Sequence, residues 1–142
     1  MNILIIGSGS VGIGIGSSLL SQNVDISFLA SEKTASKMKK DGIKRTGLFT
    51  NYSFSPSEFN VYETYSQIPK KSFDYVLVAS KTTANKDISK RLDENRDILK
   101  DNFTIIICQN GFGNDEAYLK YFKASHYIVR ALSLALQGLR ET

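Results

Sequence analysis

The stretch NILIIGSGSVG, residues 2–12, decides the fold. Its first half is a short apolar run of the kind that forms a buried strand. Its second half spaces Gly7, Gly9 and Gly12 as G-x-G-x-x-G, with Ser8, Ser10 and Val11 between them. The first glycine of such a motif permits a tight turn, and the second lets a pyrophosphate approach the backbone. The third lets the following helix pack close to the strand. Backbone N–H groups and the helix N-terminus then face an anion. A glycine-rich helix start without a ligand carries the same letters, so context has to separate the two. Here the motif follows an apolar strand, opens a helix and precedes a second strand at the spacing a dinucleotide-binding unit requires. Gly7, Ser8, Gly9, Ser10, Val11 and Gly12 are therefore expected to bind a cofactor.

Outward from the turn, residues 10–21 place Val11, Ile15, Leu19 and Leu20 on roughly one helical face, with Gly12, Gly14 and Gly16 beside it. Glycine in a helix interior costs about 1 kcal/mol relative to alanine, so three of them predict a helix lying close against something. Residues 24–30 (VDISFLA) read as a second strand and residues 32–40 as a short polar helix ending at Gly42. Residues 43–65 are less regular and read as short strands and turns around Pro56. A strong strand follows at residues 73–79, then a helical stripe from Ala84 through Ile88, Leu92 and Leu99. A further strand is expected at residues 102–108, a helix at 113–122 carrying Ala117, Leu119, Tyr121 and Phe122, and a last strand at 127–134. Continuous apolar strands are buried on both faces. Their alternation with helices predicts an α/β, Rossmann-type doubly wound, mostly parallel sheet with helices on both faces, as one dinucleotide-binding domain over residues 1–142.

The bulk numbers agree. A chain of 142 residues can bury roughly 68–70 % of its unfolded surface and needs no staple to fold. Apolar residues make up 42 % and charged residues 23 %, ordinary for a globular domain. Cys108 stands alone, which excludes an internal disulfide framework and a cysteine metal cluster and fits a cytoplasmic setting. No secretory signal or membrane span is readable. The net charge of +4 is spread among acidic residues, apart from a cluster at Lys37, Lys39, Lys40, Lys44 and Arg45 and a pair at Lys70 and Lys71. Solvated faces and an anionic small molecule account for it better than nucleic acid does.

The end of the second strand selects the dinucleotide. NAD sites place a carboxylate there for the ribose hydroxyls. This chain reads Ala30-Ser31-Glu32-Lys33. Ser31 as selector, with Lys33 nearby, favours NADP, whereas an inward Glu32 favours NAD. NADP (NADPH) is the expected cofactor and NAD the less favoured one.

Two further stretches carry a resemblance. Residues 74–81 (DYVLVASK) form a strand ending in Lys81, and residues 109–116 (QNGFGNDE) contain N-G-x-G-N-x-E. Together with the glycine turn they resemble the N-terminal NADP-binding domain of the ketopantoate reductase (2-dehydropantoate 2-reductase) family. That family reduces ketopantoate to pantoate with NADPH, a step of pantothenate biosynthesis. The resemblance implies that Lys81 lies near the ribose and nicotinamide, and that Asn110 lies where nicotinamide and substrate meet, binding both. Physically, Lys81 can hold an anion and Asn110 can donate and accept, each at the carboxyl end of a strand. The family often carries Arg where Ser31 stands and Gln where Ala84 stands. Its catalytic lysine and a substrate-binding glutamate lie in a C-terminal helical domain expected to be absent here, so no catalytic residue is assigned within 1–142.

The remaining candidates are quieter. His126 and Cys108 are expected to be structural, with no triad or metal site between them. Asp115 and Glu116 are expected to open a helix, where acidic side chains complement the dipole. The expected function is thus the cofactor-binding part of an oxidoreductase passing hydride from NADPH to a 2-oxo acid. A homodimer or the missing C-terminal domain would supply the rest, with neither nucleic acid nor membrane as a partner. The alternative is a stand-alone nucleotide-sensing regulatory Rossmann module.

Overall fold

The computed structural model describes residues 1–46, 51–109, 113–123 and 127–129. Strands β1 (Asn2–Ile6), β2 (Asp25–Leu29), β5 (Asn60–Tyr62), β6 (Phe73–Val78), β7 (Leu99–Ile107) and β8 (Tyr127–Val129) form one sheet in the order β5-β2-β1-β6-β7-β8. Every pairing in it is parallel. The first apolar run is therefore central: Ile5 stands between Phe28 on β2 and Leu77 on β6. The order reverses direction at β1, which puts a crevice beyond its carboxyl end, where open α/β sheets bind ligands.

Strand alternation divides the core. On one face Ile3, Ile5, Ile26, Phe28 and Leu77 pack with Leu20 of α1 (Ser10–Leu20) and with Ala35 and Met38 of α2 (Glu32–Asp41). On the other, Leu4, Ile6, Val76, Val78, Ile105 and Ile107 pack with Ile88 and Leu92 of α3 (Asn85–Glu94) and Tyr118 of α4 (Glu116–Leu119). The doubly wound fold with helices on both faces is as expected. The helix predicted to lie close does so: a Cβ on Gly16 would come within 2.6 Å of the Phe28 ring.

Two expectations shift. Leu99 continues the α3 stripe in sequence, but α3 ends at Glu94, where the Asn95 N–H bonds back to the carbonyls of Arg91 and Leu92. A 3₁₀ turn at Arg96–Ile98 follows, and Leu99 heads β7 opposite Phe73. The helix expected at residues 113–122 is regular only over Glu116–Leu119. It buries Tyr118 and Phe122, four apart, and leaves Leu119 exposed. The irregular region holds the short strands and turns expected of it: an antiparallel pair, β3 (Ile43–Arg45) with β4 (Tyr52–Phe54), and the edge strand β5. Arg45 ties that pair to α1 by donating to the Gly14 carbonyl (3.0 Å). Of the last predicted strand, Tyr127–Val129 is present, and residues 130–134 lie outside the described residues. No helix among the described residues is long and apolar enough to cross a membrane.

Candidate functional site

The glycine turn leaves β1 and enters α1 under tight constraint at two positions and with open space at the third. Gly7 adopts φ +111°, which L side chains rarely adopt, and a Cβ there would lie 2.6 Å from the Ser80 nitrogen. A Cβ on Gly12 would run into the Gly7 carbonyl oxygen. A Cβ on Gly9 would meet nothing within 4 Å. Gly9 is the N-cap of α1, and its carbonyl accepts the first helical bond from the Ile13 N–H (2.9 Å). No side chain caps this end and its first turn carries no acidic residue. The N–H groups of Ser10, Val11 and Gly12 accordingly have no intrahelical acceptor. The turn is an open, electropositive cradle at a helix start, with the chemistry to receive phosphate oxygens. Beside it, the Ser80 hydroxyl oxygen is buried with no hydrogen-bond partner among the described residues.

The other predicted residues lie along the same carboxyl rim. Ser31 is the exposed N-cap of α2, just past β2, and its hydroxyl donates to Thr34 Oγ1 (3.2 Å). Glu32 is the exposed first residue of α2. Lys81, exposed, follows Ser80 and precedes the 3₁₀ turn Thr82–Ala84, whose Ala84 N–H bonds to the Lys81 carbonyl (3.0 Å). The turn after β6 and the glycine turn are thus brought against each other at Gly7 and Ser80. Asn110 and His126 lie outside the described residues. Asp115 is the N-cap of α4 and Glu116 its first residue, the helix-opening placement expected of them.

A polar cluster joins this rim from beneath. Asn85 and Gln109 are both buried and exchange amide bonds: Asn85 Nδ2 donates to Gln109 Oε1 (2.9 Å) and Gln109 Nε2 donates to Asn85 Oδ1 (2.9 Å). Gln109 Nε2 also donates to the Ser80 carbonyl (2.8 Å), and Asn85 Nδ2 to the Asn114 carbonyl (3.3 Å). The Tyr118 hydroxyl donates to Asn85 Oδ1 (3.1 Å). Burial pushes the Tyr118 phenol well above its ordinary pKa, so it stays a donor. A cleft of about 850 Å³ between α3 and α4 borders the cluster at Asn85 and Asn114. Among the described residues, no group of three or more His, Cys, Asp or Glu side chains is placed to hold a metal.

The chain matches the family model described as ketopantoate reductase PanE/ApbA over residues 3–137. The chain belongs to this family. Among relatives, the uncharacterized oxidoreductase YkpB of Bacillus subtilis (strain 168) is 29 % identical over 122 residues, covering 86 % of this chain and 37 % of YkpB. The chain therefore spans well under half the length of that relative. Among solved structures, a PanE/ApbA family ketopantoate reductase from Ralstonia eutropha JMP134 superposes with a TM-score of 0.73 at 17 % identity, covering 91 % of this chain and 40 % of that one. The 2-dehydropantoate 2-reductase of Methylococcus capsulatus gives 0.65 at 22 %, covering 92 % and 46 %. D-mandelate dehydrogenase, solved with NADH and anilino(oxo)acetate, gives 0.72 at 15 %, covering 91 % and 40 %. At these identities the likeness establishes the fold.

Sequence reasoning reached the ketopantoate reductase family through its glycine turn, Lys81 and the QNGFGN run, but it passed over Asn85 and Tyr118. A signal was present. Asn85 shares the inward spacing of Ile88 and Leu92, so a polar residue occupies an apolar stripe. Cys108, at the end of β7, is buried, and burial pushes its thiol up to about 11, in keeping with the inert role expected of it.

Proposed function

We propose that this chain is the NADP(H)-binding part of a ketopantoate reductase-like oxidoreductase acting on a 2-oxo acid, ketopantoate being the substrate its family suggests. The observation that carries the reading is the contrast within the glycine turn: Gly7 and Gly12 are closed by neighbouring backbone, while Gly9 faces open space at an uncapped helix start. That is the shape a pyrophosphate needs. NADP is favoured over NAD because Ser31 and Thr34 set two hydroxyls at the end of β2, with Lys33 exposed beside them. Hydroxyls and a cation suit a 2′-phosphate, which a carboxylate would repel.

In this reading a bound NADPH supplies the hydride for the substrate carbonyl carbon. The chain's own residues bind and orient. Ser10, Val11 and Gly12 give backbone N–H groups to the pyrophosphate, and Lys81 steadies the anionic ribose side. Asn110 donates to and accepts from nicotinamide and substrate. The proton donor comes from a further domain or a partner chain, a second copy included. Cytoplasmic residence is part of the same proposal.

Titration calorimetry with NADPH and with NADH tests it. NADPH should bind more tightly, and Ser31→Ala should cost NADPH about 1 kcal/mol, one hydrogen bond's worth, while leaving NADH nearly unchanged. Failure of both nucleotides to bind at millimolar concentration would overturn the proposal.

A further inference from the structure

Asn85 is where four separate segments meet. It opens α3, and its amide reaches Gln109 at the end of β7, the carbonyl of Asn114 and the hydroxyl of Tyr118. Through Gln109 it also reaches the carbonyl of Ser80 at the end of β6. All four amide hydrogens of the Asn85–Gln109 pair have acceptors, and Asn85 Oδ1 accepts twice. Burying amides is costly unless they are bonded, and apolar side chains would fill this space without that risk. A fully bonded buried network specifies one arrangement where apolar packing tolerates several. What this network specifies is the spacing of the carboxyl rim. Ser80 is pressed against Gly7 so closely that no side chain fits between them, and Lys81 follows Ser80. On the other arm, Gln109 directly precedes Asn110.

We propose that Asn85 is a positioning residue which, through Gln109, holds the turn after β6 and the segment after β7 in one register, so that the glycine turn and Lys81 keep the separation a dinucleotide needs. This rests on the nucleotide-binding reading of the same rim. Asn85 touches no cofactor in this account. It acts through Gln109 and the Ser80 carbonyl.

The test separates positioning from mere stability. Asn85→Leu strands the Gln109 amide and lowers the thermal midpoint. The double variant Asn85→Leu with Gln109→Leu removes both amides together and recovers part of the lost stability, since neither amide strands the other while the Tyr118 hydroxyl and the Ser80 and Asn114 carbonyls lose these partners. Positioning predicts that the double variant still binds NADPH about tenfold or more weakly than the wild type despite its partly recovered midpoint, because small misplacements at a site are costly. It also predicts faster backbone hydrogen exchange, without ligand, in residues 80–84 and 113–118 together. Tyr118→Phe, which removes one bond to Asn85 and keeps the packing, should speed exchange in both segments to a smaller extent and serves if the leucine variants do not fold. NADPH affinity that recovers along with the midpoint would overturn the proposal, as would unchanged exchange in either segment. Should the wild type bind neither NADPH nor NADH, the nucleotide reading fails by that result alone, and the exchange measurement decides whether Asn85 locks the two segments.

Discussion

Gly9 and Gly12 lie three residues apart in one turn, and the same substitution should affect them differently. Gly9 has φ −75°, open to any residue, and free space where its Cβ would stand. Gly9→Ala should therefore leave unfolding in urea within about 0.5 kcal/mol of wild type, while its methyl group blocks the pyrophosphate and weakens NADPH binding. Gly12→Ala drives a methyl into the Gly7 carbonyl and should cost at least about 2 kcal/mol, because backbone has to move. Cys108 gives a second test at this scale. With its thiol pushed up to about 11 by burial, it should resist thiol reagents at pH 8 and react in step with unfolding as urea is raised. These residues were legible in sequence because each requirement falls on a single position in a fixed spacing. Asn85 was not, since its meaning depends on Gln109 and Tyr118, partners supplied only by the folded sheet.

Helix α1 docks on the sheet through its small residues. A Cβ on Gly16 would meet Phe28 at 2.6 Å, and the Phe28 ring is already held edge-on against Phe59 at 5.8 Å. Gly16→Ala gains helix propensity of about 1 kcal/mol but must displace a buried ring, an overpacking of about 1–3 kcal/mol. The thermal midpoint should not rise, and Gly16→Val should lower it clearly. Periodicity made α1, α2 and the central strands readable, because their apolar faces repeat within one element. It failed at Leu99, seven residues past Leu92 and in phase with it, because the chain leaves the helix at Glu94 and enters a strand with its apolar phase unchanged. It also overextended α4, because Phe122 lies past the helix and points inward with Tyr118 through contacts with the sheet face, Phe103 lying edge-on to Phe122 at 5.8 Å.

At the scale of the molecule, the parallel sheet separates the rim of the candidate site from a structural edge. At the amino-end edge, the Asp74 carboxylate accepts the Asn2 N–H (2.9 Å) and the Lys100 ammonium (3.2 Å), and these bonds hold its pKa below the usual value, the backbone one foremost. A depressed carboxylate stabilises the fold above its unfolded value of 3.8 and loses that contribution as pH falls through the lower folded value. Asp74→Asn should therefore lower the urea midpoint at pH 7, with the gap to wild type closing as pH falls below 3.8, and should leave NADPH affinity unchanged. The sheet order carries one more consequence, which concerns synthesis. β1 lies between β2, which follows it closely, and β6, whose Tyr75 pairs with Ile3 across half the chain. On the ribosome the second edge of Ile3–Ile6 stays bare until Tyr75–Val78 emerges, so a chain stalled earlier exposes its most apolar strand and is a ready client for chaperones that cover unpaired edges.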